Sequence, residues 1–273
     1  KVFLNASYGV FGAESFPLYC PPLAESTAAV GRYAMEEAGK KSEELGIHVL
    51  YGDTDSVFLD NPSKEQTDGL VQWADDALGI DLEVEKTYRY AVFSERKKNY
   101  LGVYDDGHMD IKGLTGKKRH IPPILKNAFD ELTRILSDVK TPDEFPAAKE
   151  DIKGLVQTVH DRLMKREFKI DEVAFQMQLG KPLKAYDTNP QHVKAGRMLE
   201  EMGHEIDQGD IIYYVVTKDD VLPAIVAKPR DVDVRKYEEY LESTFEQLLD
   251  ALDMNFDALV GRPQQQSLSA FFG

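Results

Sequence analysis

Residues 51–56 read Tyr-Gly-Asp-Thr-Asp-Ser and lie between two largely apolar runs, 47–50 and 57–59. A short polar segment between two such runs predicts a β-hairpin, and Gly52 offers a backbone angle that other residues avoid. The hairpin brings two carboxylates, Asp53 and Asp55, to its tip. Carboxylates this close repel each other unless a cation neutralises them, and their hard oxygens suit Mg²⁺ or Mn²⁺. The stretch therefore predicts a divalent-metal site, although Asp and Thr are also common turn residues.

The amino-terminal segment places a cationic, an amide and an aromatic side chain on one helical stripe. Lys1, Asn5 and Tyr8 are spaced i, i+4 and i+7, which puts them on the same face of a helix. Such a stripe could bind a triphosphate and pack against the sugar and base of a nucleotide. The same spacing also fits the end of an ordinary amphipathic helix, so by itself it leaves both interpretations open.

The order of these two motifs resembles that of the family B DNA polymerases. Lys1 opens a K-x₃-N-[SA]-x-Y-G pattern, and the Y-G-D-T-D-S pattern follows at residue 51. Residues 24–32 are similar to the family's helix between the two motifs. Further along the chain, residues 96–100 resemble the K-x-Y element of the family, which lies beside the primer–template duplex.

Later stretches extend the resemblance toward the carboxyl end. Residues 112–113, with the basic run 117–120, are similar to the strand that follows the K-x-Y element. Residues 190–197 and 209–216 resemble the thumb of archaeal members. The resemblance thus spans nearly the whole chain and implies an archaeal type. One departure is Ala6, which stands where the family usually has Ser and removes a hydroxyl near the nucleotide site.

The resemblance implies an α+β fold. A partial polymerase palm, built as an antiparallel sheet with packed helices, would precede a mainly helical thumb. The implied organisation is the end of a fingers helix over 1–20, part of the palm over 21–121, the thumb over 122–262, and a tail over 263–273.

Local patterns predict individual elements. Residues 63–66 form a capping-box pattern ahead of an apolar helix, and the alternation over 82–93 indicates a strand. Asp-Gly at 106–107 predicts a second hairpin between 100–104 and 108–112. Proline starts and apolar spacing predict helices over 1–12, 21–41, 124–139, 147–167 and 233–253.

The resemblance also implies template-directed DNA synthesis by a two-metal mechanism, with Mg²⁺, or Mn²⁺ in its place. Asp55 would be the bridging metal ligand and Asp53 a looser one. Contacts to the deoxynucleoside triphosphate are assigned to Lys1, Asn5, Tyr8 and Thr54. Contacts to the primer–template DNA are assigned to Lys97, Lys98, Tyr100, Lys112, Lys118 and Arg119.

One metal ligand that the family requires does not occur in this sequence. In the family, a further aspartate comes from a D-x-x-S-L-Y-P motif upstream of the Lys1 pattern, and none of the 273 residues form that motif. We therefore expect catalysis to need an amino-terminal polymerase segment or partner chain. Whether the start at Lys1 is a natural split or a processed end stays open.

The charge of the chain is uneven. A net charge of −15 argues against binding to a polyanion over the whole surface. Between Ser94 and His120, however, seven basic residues outnumber four acidic ones. This basic strip predicts that DNA is confined to one surface, although a solvated hairpin with scattered lysines would have the same composition.

The carboxyl-terminal residues resemble a clamp-binding peptide of the form Q-x-x-h-x-x-a-a, where h is aliphatic and a is aromatic. The matching side chains are Gln265, Leu268, Phe271 and Phe272. A short turn of helix bearing these anchors would fill an apolar pocket on a ring-shaped sliding clamp. A Gln-rich end that happens to finish in two phenylalanines is the alternative.

Composition excludes several other classes of protein. The chain has no long apolar run and no signal-peptide pattern, so we expect a cytoplasmic protein without a membrane partner. Its single cysteine, Cys20, excludes a disulfide framework and a multi-cysteine metal module.

Two other functions remain open. A non-catalytic polymerase-like subunit that binds DNA and a clamp is compatible with Ala6 and with the missing aspartate, but the chain retains both Asp53 and Asp55. A phosphatase or glycosyltransferase with a D-x-D motif would need its own phosphate or nucleotide loop. No Gly-rich loop leading into a helix is evident in the sequence.

Overall fold

The structure, a computed structural model, describes the backbone and side chains of residues 7–94, 97–114, 116 and 120–262, and the backbone alone of residues 2–6. The chain forms two compact units, Lys1–Thr87 and Tyr88–Gly273. The division lies inside the stretch assigned to the palm, and the domain boundaries proposed from the sequence stay predictions. None of the helices in the described ranges combines the length and the apolar character needed to cross a membrane.

The described elements of the first unit are, in chain order, α1 Val2–Phe11, α2 Pro21–Glu44, β1 Val49–Asp53, β2 Ser56–Leu59 and α3 Lys64–Trp73. The prolines at the start of α2 have no amide hydrogen to leave unpaired in its first turn. The capping box of α3 is confirmed, because the amide of Gln66 donates to Ser63 Oγ at 3.2 Å and the amide of Ser63 donates to Gln66 Oε1 at 2.8 Å. The predicted helices in this unit are confirmed.

The hairpin of β1 and β2 is held by α2, which packs against both strands and against α3. Ile47, Leu70 and Ala74 are buried within this unit, and Gln66 Nε2 donates to the carbonyl of Leu45 at 2.8 Å, which ties α3 to the end of α2. The hairpin predicted at 51–56 is therefore confirmed, and α2 supports both of its strands.

The strand predicted over 82–93 is wrong for most of its length. Only Tyr90–Phe93, β3, is a strand, and residues 80–88 have no regular structure. Among the described residues, no strand pairs with 82–88, and the amide of Arg89 donates to the carbonyl of Val103 at 2.7 Å just before the ladder begins at Tyr90. The alternation in this stretch did not mark a buried face, since Val84 is 59% exposed. Alternating side chains form a strand only where a neighbouring backbone completes the ladder.

The second unit begins with an antiparallel sheet of β3, β4 Tyr100–Val103 and β5 Met109–Lys112. Val92, Leu101 and Val103 are buried on one face of this sheet. The predicted hairpin turn is confirmed, and Gly107 adopts φ +86° in it, a conformation that a residue without Cβ adopts at no steric cost.

The main helices of the second unit pack against the buried face of this sheet and against one another. They are α4 Pro123–Asp138, α5 Phe145–Met164 and α8 Val234–Ala251. The rings of Phe129 and Phe245 join α4 to α8 with their centroids 6.5 Å apart. The helices predicted over 124–139, 147–167 and 233–253 are confirmed.

The region assigned to the thumb also contains a sheet that the sequence analysis did not predict. The strands of this sheet, in the order β6-β7-β8, are β6 Phe175–Gln178, β7 Ile211–Val216 and β8 Val221–Pro223. The remaining helices of the region are α6 Ile170–Val173, α7 Gln191–Glu201 and α9 Phe256–Val260. The run of β-branched and aromatic residues at 211–216 was the available signal. Tyr237 of α8 anchors this sheet, because its hydroxyl donates to the carbonyl of Val173 at 2.6 Å and accepts from the amide of Val216.

Candidate metal hairpin and nucleic-acid surface

The tip of the first hairpin is a tight turn with an unusual backbone. Asp53 pairs with Ser56, so Thr54 and Asp55 form the tip. Thr54 adopts φ +47°, and the amide of Asp55 donates back to the carbonyl of Asp53. A β-branched residue rarely takes a positive φ, and holding one there costs on the order of 1–3 kcal/mol. The strain therefore lies between the two carboxylates.

The expectation that Gly52 supplies the unusual backbone angle is wrong. Gly52 pairs with Val57 inside the ladder and is absent from the residues with positive φ. Within 4 Å, a Cβ at this position would meet one atom of the described residues, the carbonyl oxygen of Ser56 at 3.9 Å. The turn conformation is carried by Thr54 instead, because the two-residue tip leaves Gly52 within the extended strand.

The two carboxylates of the tip have different surroundings. Asp53 is half-buried, and Thr54 Oγ1 donates to its Oδ1 at 3.0 Å. Asp55 is exposed, and within the described ranges its carboxylate has no hydrogen-bond or ion-pair partner. Below the tip, the rings of Tyr51 and Phe58 meet edge to face, with centroids 5.7 Å apart. A packed base thus carries an oriented carboxylate and an accessible one.

The chemistry of this pair fits a divalent cation, but the pair does not form a complete site. Carboxylate oxygens are the ligands that Mg²⁺ and Mn²⁺ prefer. Among the residues with described side chains, no group of three or more His, Cys, Asp or Glu is placed to hold a metal. Asp53 and Asp55 would therefore supply part of a coordination shell, with ligands from elsewhere completing it.

The helix predicted to bear the nucleotide stripe is present as α1, which packs on α2. Tyr8 is 48% exposed on this helix. Asn5 lies in α1 with only its backbone described, and Lys1 lies outside the described residues. Since α2 also contacts the strands of the hairpin, both motifs are built on the same supporting helix. The hydroxyl of Thr54, assigned to the nucleotide, bonds to Asp53 in this structure.

Two of the predicted DNA-contacting residues, Tyr100 and Lys112, lie on the outer face of the first sheet of the second unit. Tyr100 pairs with Phe93 on one side and with Lys112 on the other, and directly opposite residues share a face of the sheet. The rings of Phe93 and Tyr100 lie 6.1 Å apart, and Lys112 is exposed. Lys97 and Lys98 form the turn before β4. Lys118 and Arg119 lie outside the described residues.

This outer face also carries residues that the sequence analysis did not select. Tyr88 and Tyr104 both donate from their hydroxyls to Asp110 Oδ2, at 2.8 and 3.1 Å. Burial, followed by the hydrogen bond to Asp110, raises the pKa of Tyr88. No sequence signal links these three residues, because only the strand register brings them together.

The four clamp-binding anchors, Gln265, Leu268, Phe271 and Phe272, lie outside the described residues. The last described residue, Arg262, is held by three carboxylates of the second unit. Its guanidinium lies 2.9 Å from Glu238, 2.9 Å from Glu242 and 2.9 Å from Asp257.

Comparison with known proteins gives one consistent family. The family model described as DNA polymerase family B matches residues 1–255. DNA polymerase 1 of Saccharolobus solfataricus is 45% identical over 275 residues, which cover 100% of this chain and 31% of that protein. DNA polymerase 1 of Aeropyrum pernix is 40% identical, over 96% of this chain and 28% of its own length. The chain thus spans about a third of the length of these relatives.

A solved structure shows the same similarity in three dimensions. The family B DNA polymerase from Pyrobaculum calidifontis superposes with a TM-score of 0.64 at 27% sequence identity. The match covers 97% of this chain and 33% of that one.

Proposed function

The chain belongs to DNA polymerase family B, and we propose that it is the carboxyl-terminal portion of a DNA-directed DNA polymerase. It would supply the end of a fingers helix over 1–20, part of the palm over 21–121, the thumb over 122–262 and a clamp-binding tail over 263–273. The observation that carries the proposal is the strained tip at Thr54, which holds an exposed Asp55 beside an oriented Asp53.

The reaction would be nucleotidyl transfer from a deoxynucleoside triphosphate to a primer. The primer 3′-oxygen forms a bond to the α-phosphorus, the bond from that phosphorus to its bridging oxygen breaks, and pyrophosphate leaves while the hydroxyl proton passes to solvent. Two Mg²⁺ ions, or Mn²⁺ in their place, stabilise the attacking and leaving oxygens when bound.

The residues of this chain have distinct parts in that reaction. Asp55, which is exposed, would be the bridging metal ligand, and Asp53, already oriented by Thr54, would be the looser ligand. Lys1, Asn5 and Tyr8 would neutralise and shape the triphosphate pocket. The basic strip would contact backbone phosphates without reading the base sequence.

The coordination shell must be completed by a segment or chain that carries the D-x-x-S-L-Y-P motif. Only two of the required carboxylates come from the hairpin described above. A non-catalytic polymerase-like subunit is the second candidate, and the same incomplete shell is what favours it. The two candidates differ in whether synthesis appears when the missing aspartate is supplied.

The test is primer extension by the purified chain, alone and mixed with a polypeptide that carries the D-x-x-S-L-Y-P motif. We expect no extension by the chain alone and Mg²⁺-dependent extension by the mixture. Extension by the chain alone would contradict the incomplete site. An inactive mixture that still forms a complex and binds DNA would support the non-catalytic candidate.

The tail is proposed to bind a sliding clamp through Leu268, Phe271 and Phe272, with Gln265 at the pocket rim. Burying two phenylalanine rings contributes roughly 3–6 kcal/mol before ordering costs, and a micromolar complex needs about 8 kcal/mol. The rings should therefore dominate the affinity. Changing Phe271 and Phe272 to Ala should abolish clamp binding and leave short, clamp-free extension intact. Unchanged affinity of the double variant would show that the tail is not the tether.

A further inference from the structure

The outer face of the β3-β4-β5 sheet contains an acid among the residues proposed to contact DNA. Asp110 pairs with Gly102, two steps along the ladder from the pair of Tyr100 and Lys112. Residues two apart on a strand lie on the same face, so Asp110 and Lys112 are neighbours there. An unscreened carboxylate at this place would repel phosphates and attract the ammonium group of Lys112.

Two tyrosines from different segments converge on this acid. Tyr88 stands at the start of the second unit and Tyr104 follows β4, yet both hydroxyls donate to the same oxygen of Asp110. Their ring centroids lie 4.9 Å apart. Hydrogen bonds to a charged acceptor are stronger than those between neutral groups, so the carboxylate is fixed in place with part of its charge satisfied by the protein.

Gly102 makes room for this arrangement. A Cβ added at Gly102 would lie 2.6 Å from Cε1 of Tyr88 and 2.7 Å from its Cδ1 and Cζ. The ring of Tyr88 therefore lies directly on the strand backbone at the position that pairs with Asp110. A side chain at 102 would displace the ring and with it one of the two donors.

We propose that Tyr88 and Tyr104 are positioning residues that screen Asp110 and so keep Lys112 available to the DNA backbone. The inference rests on the proposed function, because it concerns how the same sheet face accepts a primer–template duplex. Tyr88, Tyr104 and Asp110 need not contact DNA themselves. Their part is to keep the negative charge of Asp110 on the protein side of the interface.

The test is the DNA affinity of the full chain in its reconstituted polymerase, measured by fluorescence anisotropy at several KCl concentrations. The doubly changed variant, Tyr88→Phe with Tyr104→Phe, keeps both rings and removes both donors. We expect its affinity to fall roughly 5- to 10-fold, and its slope of log affinity against log salt to lose about 0.9, as for one lost phosphate contact.

Adding Asp110→Asn to that variant separates screening from structural support. Removal of the charge should restore the affinity to within about twofold and recover the slope. A matched control is Tyr90→Phe, because the Tyr90 hydroxyl donates to the carbonyl of Leu136 on the opposite side of the same sheet. This control should leave the salt slope unchanged.

Three outcomes would overturn the inference: an unchanged affinity in the doubly changed tyrosine variant, a failure of Asp110→Asn to restore it, or an equal loss in Tyr90→Phe. If the tyrosine variant does not fold, Asp110→Asn alone decides, since screening predicts unchanged or tighter binding and structural support predicts weaker binding. A wild-type polymerase that does not bind DNA at all would instead contradict the proposed function.

Discussion

Asp55 in the first unit and Glu238 in the second are both carboxylates, but they differ in burial and in the partners that surround them. The Glu238 side chain is only 4% exposed and is contacted by His160 at 2.8 Å, Arg235 at 3.0 Å and Arg262 at 2.9 Å. Asp55 is exposed at a strained turn and has no side-chain partner among the described residues. A carboxylate satisfied from within stabilises the fold. One that the fold holds out without a partner is available to a ligand.

The surroundings of Glu238 also set its protonation. Burial acts to raise the pKa of this carboxyl, but the hydrogen bonds from His160, Arg262 and Arg235 outweigh burial and lower it. The cluster joins α5, α8 and the residue that precedes the tail. The partners of Glu238 come from three places in the chain, so the cluster holds those elements together.

The largest expected effect tests the Asp55 side of the comparison. Asp55→Asn should reduce primer extension by the reconstituted polymerase by roughly three orders of magnitude or more, because an amide cannot offset the charge of two cations. Asp53→Asn should reduce primer extension by a smaller factor. The melting temperature of Asp55→Asn should not fall, since no internal partner is lost.

Asp60 offers a matched control for this measurement, because it is an exposed acid just beyond β2 on the same hairpin. Asp60→Asn should leave extension unchanged. Equal losses from Asp60→Asn and Asp55→Asn would mean that general acidity of the hairpin matters, and the ligand assignment would then be lost.

The next largest effect tests the Glu238 side. Glu238→Gln should lower the free energy of unfolding by about 2–4 kcal/mol, because it removes a buried charge that the partly buried Arg262 and its neighbours share as a partner. The control is Glu131→Gln, which removes an exposed ion pair with Arg134 and should leave the free energy of unfolding almost unchanged, because solvent screens exposed pairs. Urea unfolding followed by circular dichroism measures both. If both variants change the free energy of unfolding by a similarly small amount, Glu238 contributes no more to stability than an exposed acid does.

The pH dependence of stability gives a smaller and independent signal. Because the folded pKa of Glu238 lies below the ordinary value of 4.5, its stabilisation is complete above pH 4.5 and is lost as the pH falls toward the lower folded pKa. Wild-type stability should therefore decline below pH 4.5 more steeply than that of Glu238→Gln. Parallel curves for the two proteins between pH 5 and pH 3 would show that other carboxyls govern acid unfolding.

The smallest expected effect concerns the strained turn. Asn tolerates a positive φ better than a β-branched residue does, so Thr54→Asn should stabilise the chain by about 0.5–1 kcal/mol. Extension should fall at the same time, because the hydroxyl that orients Asp53 is removed. Loss of stability in this variant would indicate that the turn is not strained.

Local sequence signals identified the hairpin, the capping box and the main helices because each is specified by residues close together in the chain. The two carboxylates of the hairpin were found for the same reason. The strand expected over 82–89 was wrong, since alternation reports side-chain order and not the presence of a pairing partner. The sheet of β6, β7 and β8 was missed, although 211–216 had strand composition.

The interactions that needed tertiary structure could not be predicted. Tyr88 and Asp110 are 22 positions apart and meet only through the register of three strands. His160 and Glu238 are 78 positions apart and meet only where α5 packs on α8. In the sequence, the residues of both contacts look like ordinary polar residues. Contacts between distant positions produce no periodic pattern along the chain.

The metal-ligand assignment is tested most directly by locating the site at which a divalent cation binds on the chain. Mn²⁺ can be titrated into isotopically labelled protein while amide signals are followed by nuclear magnetic resonance, since the paramagnetic ion broadens signals near its site. We predict that residues 53–56 broaden first, that Asp55→Asn removes this effect, and that Asp60→Asn retains it. Broadening that begins elsewhere on the acidic surface, or that persists unchanged in Asp55→Asn, would contradict the assignment of this hairpin as the metal-binding part of the site.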